Sequence, residues 1–317
     1  MTKLVVVRHF LTFINLFIMK KIILIVSSLL FISATYAQEL KIGETHKVNI
    51  QNEEKIYHPI ISEDGSKLLY TSEDYKGLKL YDLATNLTVE INDMQGGGFS
   101  PAISYDNKYV YYRVNRVLDK LNNVGVNRYD VDKKNAIEII SPTRADVKII
   151  PQQKEIIVKT DKKVIGNSGK KRAIVSEDYN SITLNQEGKE SKLNPVSDAH
   201  SYLWVSLSPD GKKILFVEPY KGIFTCDLNG DNLKSYGKGD NPVWLGNSFI
   251  VATKSKDDGY VVTSSRLYAI NALTGNAIAL TPEEIMAEEA TVANGAEKIA
   301  YSTQAGELYI IDVQISE

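Results

Sequence analysis

One phrase recurs along this chain: an Asp-centred turn, a short apolar strand, a second turn, and a further strand that closes on Asp. It reads "SEDGSKLLYTSEDYKGLKLYDL" at residues 62–83 and "SLSPDGKKILFVEPYKGIFTCDL" at 206–228. Weaker copies follow, so that the anchors Asp64, Asp106, Gln152, Asp210, Gly246 and Asn294 lie 42, 46, 58, 36 and 48 residues apart. A period of about 40–50 residues made of short strands is that of a four-stranded propeller blade. The run after each anchor is rich in Ile, Val, Leu, Tyr and Phe, which fit a pleated, half-buried surface. The Asp that ends "LKLYDL", "IFTCDL" and "ELYIIDV" suits a tight turn, where its side chain bonds the backbone two residues on. One blade cannot bury both faces of its sheet, so such units must pack around an axis.

The expected fold is therefore an all-β, six-bladed β-propeller forming a single domain over residues 38–317. A seven-bladed ring is the alternative, because the third unit lacks the Asp-Gly turn and the interval after it is the longest. The sixth unit runs out after "ELYIIDVQISE", and the strand "THKVNI" at 45–50 is expected to complete the last blade, which removes an open seam. One short helix is expected in "PEEIMAEEA", 282–290.

The amino terminus carries a different signal. Met19-Lys20-Lys21 precedes the 12-residue apolar run 22–33 and the small residues of "ATYA", as in a secretory signal peptide. Residues 1–37 are read as that segment, with 1–18 an unused upstream start. A membrane anchor is the alternative, although the run is shorter than the ~20 residues a spanning helix needs. The mature chain would begin at Gln38 and be periplasmic or secreted, with no stable span after cleavage. A net charge of −2 over 317 residues argues against nucleic-acid partners, which select for clustered cations. Cys226 is the only cysteine, so no internal disulfide forms and stability rests on the core. Its place on a strand reads as that of a small buried hydrophobe.

At "SLSPDGKKILF" and "IISEDGSKLLY" the chain resembles the WD40-like repeats of TolB-type β-propellers, which also occur in the propeller domains of prolyl oligopeptidases. The resemblance covers 38–317. It implies an exported propeller of six or seven blades that serves as a binding or docking platform. Neither the α/β domain that precedes the TolB propeller nor the hydrolase domain of the peptidases is found in these 317 residues, so neither specific role carries over.

Catalytic motifs are not found. The chain has no Gly-x-Ser-x-Gly nucleophile elbow, and "GNSGKK" at 166–171 lacks the glycine spacing of a phosphate loop and reads as a hairpin turn. Beyond residue 37 the histidines are His46, His58 and His200, too few for a His-rich metal centre. "DLNGDN" at 227–232 has oxygen side chains at alternate positions but places Lys238 where a calcium loop needs an acid. No metal or cofactor is expected. Aligning the units places His58, Ser100, Asp146, Trp204, Asn241 and Glu288 at the entries to the innermost strands, with Tyr57, His200 and Tyr202 close by. Those entries ring the mouth of the central funnel, where aromatics supply contact area and polar groups fix orientation. The competing reading makes Trp204 and Trp244 packing residues. The set suits a non-enzymatic module for an envelope protein or peptide, or a saccharide. The alternative is a carbohydrate-active or peptide-processing enzyme working through Asp146, Asp240 or Glu288.

Overall fold

The computed structural model describes residues 38–50, 55–152, 154–166, 174–178, 180–186 and 189–316. Residues 1–37, read above as a signal peptide, and most of the "GNSGKK" stretch lie outside them. Seven antiparallel sheets follow one another along the chain. Blade 1 comprises Tyr57–Ile61, Lys67–Thr71, Leu78–Asp82 and Leu87–Asn92. Blade 2 runs from Ala102–Ile103 to Asn135–Thr143, blade 5 from Leu203–Leu207 to Lys234–Ser235, and blade 6 from Asp240–Leu245 to Ala277–Ala279. Blade 7 is built from Ala287–Ala293, Lys298–Thr303 and Leu308–Ile315. Its outer edge is the amino-terminal strand Leu40–Val48, which pairs antiparallel with Leu308–Ile315 and joins the two ends of the described chain. The expected closure is present, and the strand starts earlier than the sequence suggested.

The ring has seven blades rather than six. The long interval between Gln152 and Asp210 holds two three-stranded sheets, Lys148–Gln152 to Val164–Ile165 and Ile174–Asp178 to Lys189–Leu193. Their strands are two to six residues long and their first hairpins lack the Asp-Gly turn of blades 1 and 5, so they merge into a single weak unit when that turn is used as the anchor. The second strong copy of the repeat is accordingly blade 5. The expected helix at 282–290 is also absent: Ala287–Ala293 is the innermost strand of blade 7, paired with Lys298–Thr303. Ala287 and Ala290 are buried in the seam with blade 6, and this packing overrides the local helix preference of Glu, Met and Ala.

The recurring phrase has a physical basis in side-chain bonds that stay within each hairpin. Ser62 Oγ donates to Asp64 Oδ1 at 2.7 Å, the Ser66 amide donates to the same oxygen at 3.0 Å, and the Lys67 amide donates to Ser62 Oγ at 2.9 Å. Ser104 with Asp106 and Ser208 with Asp210 repeat the arrangement. Burial works against the Asp64 carboxylate, yet these donors and Asn107 outweigh it and hold the group down to about 2. In blades 1, 5 and 7 the lysine that follows the turn meets the closing Asp of the third strand: Lys67 with Asp82 at 2.5 Å, Lys213 with Asp227 at 3.3 Å, and Lys298 with Asp312.

The core lies in the seams between blades. Leu69, Leu78 and Leu80 of blade 1 pack on Val110, Tyr112 and Tyr129 of blade 2. Tyr70 and Tyr81 of blade 1 pack on Ala300, Leu308 and Ile310 of blade 7. Between blades 3 and 4 the Val175 amide donates to Gln152 Oε1 at 3.3 Å. Cys226 lies opposite Ile214 in the core of blade 5, where burial pushes its thiol up to about 12, as expected of an inert hydrophobe.

Candidate functional site

The innermost strand of a blade starts beside the end of the second strand, so the loops entering the first and leaving the second share one end of the ring. At that end a β-bulge interrupts the pairing, between Tyr57 and Ile60 in blade 1, Leu203 and Ser206 in blade 5, and Asp240 and Val243 in blade 6. The residue that begins the bulge takes a left-handed backbone: His58 at φ 51°, Trp204 at 49° and Asn241 at 49°. Ser100, just ahead of the short innermost strand of blade 2, has φ 48°. Asn adopts this conformation readily, but for His, Ser and Trp it stores strain of order 1 kcal/mol. A bulge of this kind turns its side chain out of the sheet's alternation, and here it does so at equivalent places in blades 1, 5 and 6, while Ser100 has the same backbone without a bulge. Asp146 and Glu288 do not share the conformation.

Around His58 the side chains of neighbouring blades join. Its Nδ1 lies 2.7 Å from Glu289 Oε2 of blade 7, and its Nε2 lies 3.2 Å from the carbonyl oxygen of Glu73 in the 72–77 loop of blade 1. The imidazole stacks on Tyr75 of that loop at 3.9 Å. Tyr75 meets the edge of Phe99 at 5.2 Å, and the Arg113 guanidinium lies over Phe99 at 5.0 Å. Arg113 in turn donates to the Val147 carbonyl at 2.7 Å, at the entry to blade 3. The band Glu289, His58, Tyr75, Phe99, Arg113 thus runs along the rim from blade 7 to the edge of blade 3. Beside it, Lys55, Tyr57, Ser72, Glu73 and Asp74 line an open recess.

Electrostatics here are governed by burial and by carboxylate neighbours. Burial disfavours the His58 imidazolium, but the bond and charge of Glu289, the Glu73 carbonyl and the charge of Glu288 outweigh it and raise the group above its usual range. Burial, then the charge of Glu289, raises Glu288, and burial raises Asp240. Asp146 is exposed and pairs with Lys148 at 3.5 Å. Asn241 is half-buried at the entry to blade 6, whereas Ser100 and Trp204 are exposed, Trp204 at 40%.

His200 and Tyr202 separate. Tyr202 is 1% exposed, packs edge-on against Phe216 and donates to the Val196 carbonyl, so it belongs to the core of blades 4 and 5 and not to the mouth. Trp244 is likewise a packing residue, in the seam of blades 5 and 6. His200 is exposed and lies edge-on to Tyr220 at 4.7 Å. Its amide and Nδ1 approach the fully buried Glu218 carboxylate at 3.1 and 3.3 Å, and the amides of Tyr220 and Lys221 donate to the other oxygen at 2.9 and 2.7 Å.

Sequence reasoning missed Tyr75, Phe99, Arg113 and Glu289. Tyr75 and Phe99 stand on loops that do not repeat, and Arg113 and Glu289 stand on strands at places other than the aligned entries, so alignment of the units does not reach them. One signal was present: Gly96-Gly97-Gly98 directly ahead of Phe99. A Cβ on Gly98 would stand 2.1 Å from Thr71 Oγ1, so only glycine lets this loop close on the 72–77 loop and bring Phe99 to Tyr75. Among the described residues no cluster of His, Cys, Asp and Glu has a geometry suited to a metal ion. None of them forms a helix long and apolar enough to cross a membrane.

No protein-family model and no curated protein matches this chain. Among solved structures it is similar to the crystal structure of TolB from Acinetobacter baumannii, with 16% identity and a TM-score of 0.46. The match covers 82% of this chain and 56% of that one.

Proposed function

We propose that this protein is a non-enzymatic binding module of the cell envelope whose mouth face takes a protein or peptide partner. The observation that carries the reading is the band from Glu289 to Arg113, which places an imidazole, two aromatic rings and a guanidinium at the rim of one concave face. Tyr, Phe and Arg offer large contact area at low entropic cost, and such residues anchor protein interfaces. Trp204, exposed in a strained conformation, and Tyr220, 72% exposed, extend the apolar contact area toward blade 5. The leader read at the amino terminus supports a periplasmic or secreted location. The test is affinity capture from envelope extracts with the wild-type protein and with Phe99→Ala and Trp204→Ala. One partner that is enriched by the wild type and lost from both variants supports the reading. Turnover of an oligosaccharide or peptide that disappears in Glu288→Gln or Asp146→Asn overturns it in favour of an enzyme.

A further inference from the structure

We propose that His58 is a protonation latch that fastens the 72–77 loop of blade 1 to blade 7 and releases it when the proton leaves. The inference rests on the mouth being the functional face, and adds how that face is regulated. Both imidazole nitrogens point at groups that only accept: Nδ1 at the Glu289 carboxylate, 2.7 Å away, and Nε2 at the Glu73 carbonyl, 3.2 Å away. A neutral imidazole carries one N–H and satisfies one of these; only the imidazolium donates to both. The charge-assisted bond to the carboxylate is the stronger, so a neutral ring keeps Glu289 and turns a lone pair toward the Glu73 carbonyl. That carbonyl belongs to the loop, as does Tyr75, whose ring stacks on the imidazole at 3.9 Å. Deprotonation therefore removes one bond from the loop and sets two acceptors against each other.

The carboxylates around the ring act in one direction. Glu289 and Glu288 face it from the innermost strand of blade 7, Glu73 and Tyr75 from the loop, and Tyr57 lies next to it on its own strand at 6.4 Å between rings. Lys55, across the recess, is the cation sharing that wall with Tyr57, Glu73 and Asp74. The acids raise His58 above its ordinary range despite burial, so the latch is fully closed below about pH 6.5 and opens as pH rises through the higher folded-state value. The loop's other ties lie at its base and toward blade 2: Tyr75 and Lys76 bond within it to Ser72, Thr71 Oγ1 donates to the Lys76 and Gly77 carbonyls, Gln95 Nε2 donates to the Asp74 carbonyl, and Gly77 and Gly98 join it to the glycine-rich loop of blade 2. Release at His58 thus moves one wall of the recess and the ring against which Phe99 packs.

The test uses the free protein, so its outcome is independent of any partner. His58→Asn is the variant, because Asn241 already holds the equivalent left-handed position in blade 6 and the backbone is kept. Hydrogen exchange at the Tyr75 and Gly77 amides is measured against pH for wild type and variant, and the ratio cancels the intrinsic pH dependence of exchange. Wild-type protection relative to the variant is expected to be about tenfold at pH 6 and to vanish by about pH 9, the size of one charge-assisted bond. In NMR the His58 imidazole titrates above about 6.5, and Glu289→Gln lowers that midpoint. A ratio that does not change with pH, or an imidazole that titrates at or below the ordinary value, overturns the latch and leaves partner binding to its own test.

Discussion

Glu218→Gln tests whether a single buried carboxylate builds the blade 5 side of the mouth. The side chain is fully buried, and four nitrogens converge on it: the His200 amide and Nδ1 on Oε1, the Tyr220 and Lys221 amides on Oε2. Glutamine keeps the shape but turns one oxygen into an NH2. With the NH2 on the Oε2 side a donor faces the Tyr220 and Lys221 amides; on the Oε1 side it faces the His200 amide, while a neutral Nδ1 can accept from it. Orphaning one N–H costs about 1–3 kcal/mol, so the cheaper placement of the amide is worth about 1.5 kcal/mol, roughly tenfold in local opening. Burial alone would favour the neutral acid, yet the donors outweigh it and Glu218 sits below its usual range. A group depressed in the folded state contributes stability that is present above its unfolded value, about 4.3, and is lost as pH falls below it. Urea unfolding of wild type and variant should therefore differ by a constant amount from pH 7 to about 4.5, and the gap should close at lower pH, where a protonated Glu218 also presents a donor. Hydrogen exchange at Tyr220 and Lys221 should rise in step. A gap under about 0.5 kcal/mol at pH 7, or one that persists unchanged below pH 3.5, would refute the reasoning.

Asp82 carries the Lys67 pair at 2.5 Å and accepts from the Thr85 amide at 2.9 Å, and chiefly through Lys67 it is held down to about 2. Asp82→Asn should cost about 1–2 kcal/mol in urea unfolding at pH 6, a contribution present above about 3.9 and lost as pH falls through about 2; an unchanged midpoint at pH 6 argues against the cap. Gly98→Ala puts a Cβ 2.1 Å from Thr71 Oγ1 and 2.6 Å from the Gly77 carbonyl, which forces the two mouth loops apart. It should cost about 2–3 kcal/mol and abolish partner capture, and a variant that melts and binds like wild type shows the close approach to be dispensable. Cys226, buried with its thiol pushed up to about 12, should resist a thiol reagent in native buffer and react within minutes in urea; rapid native labelling contradicts its place in the core.

What the sequence disclosed and what it withheld divide along the range of the interactions involved. The Ser62, Asp64 and Lys67 set closes within five residues and its Lys67–Asp82 pair within one hairpin, so the blades that carry it were legible as repeats. Blades 3 and 4 hold their seam by Gln152 to Val175 and Lys159 to Glu190, contacts without a local signature, and they ran together as one unit. The same division runs through the site. Positions 58, 100, 204 and 241 were placed together by aligning the units, and they share a left-handed backbone, whereas 146 and 288 of the same alignment do not. Glu289, Tyr75, Phe99 and Arg113 were not found this way, because each reaches its place by packing against a different blade. The repeat thus preserves a bend while the residue on it varies from His to Ser, Trp and Asn. Backbone that is held constant while its side chains differ is how one scaffold makes an asymmetric surface. Specificity in this ring therefore belongs to the places where the units disagree. The sharpest of these is the seam of blades 7 and 1, where one imidazole faces two acceptors.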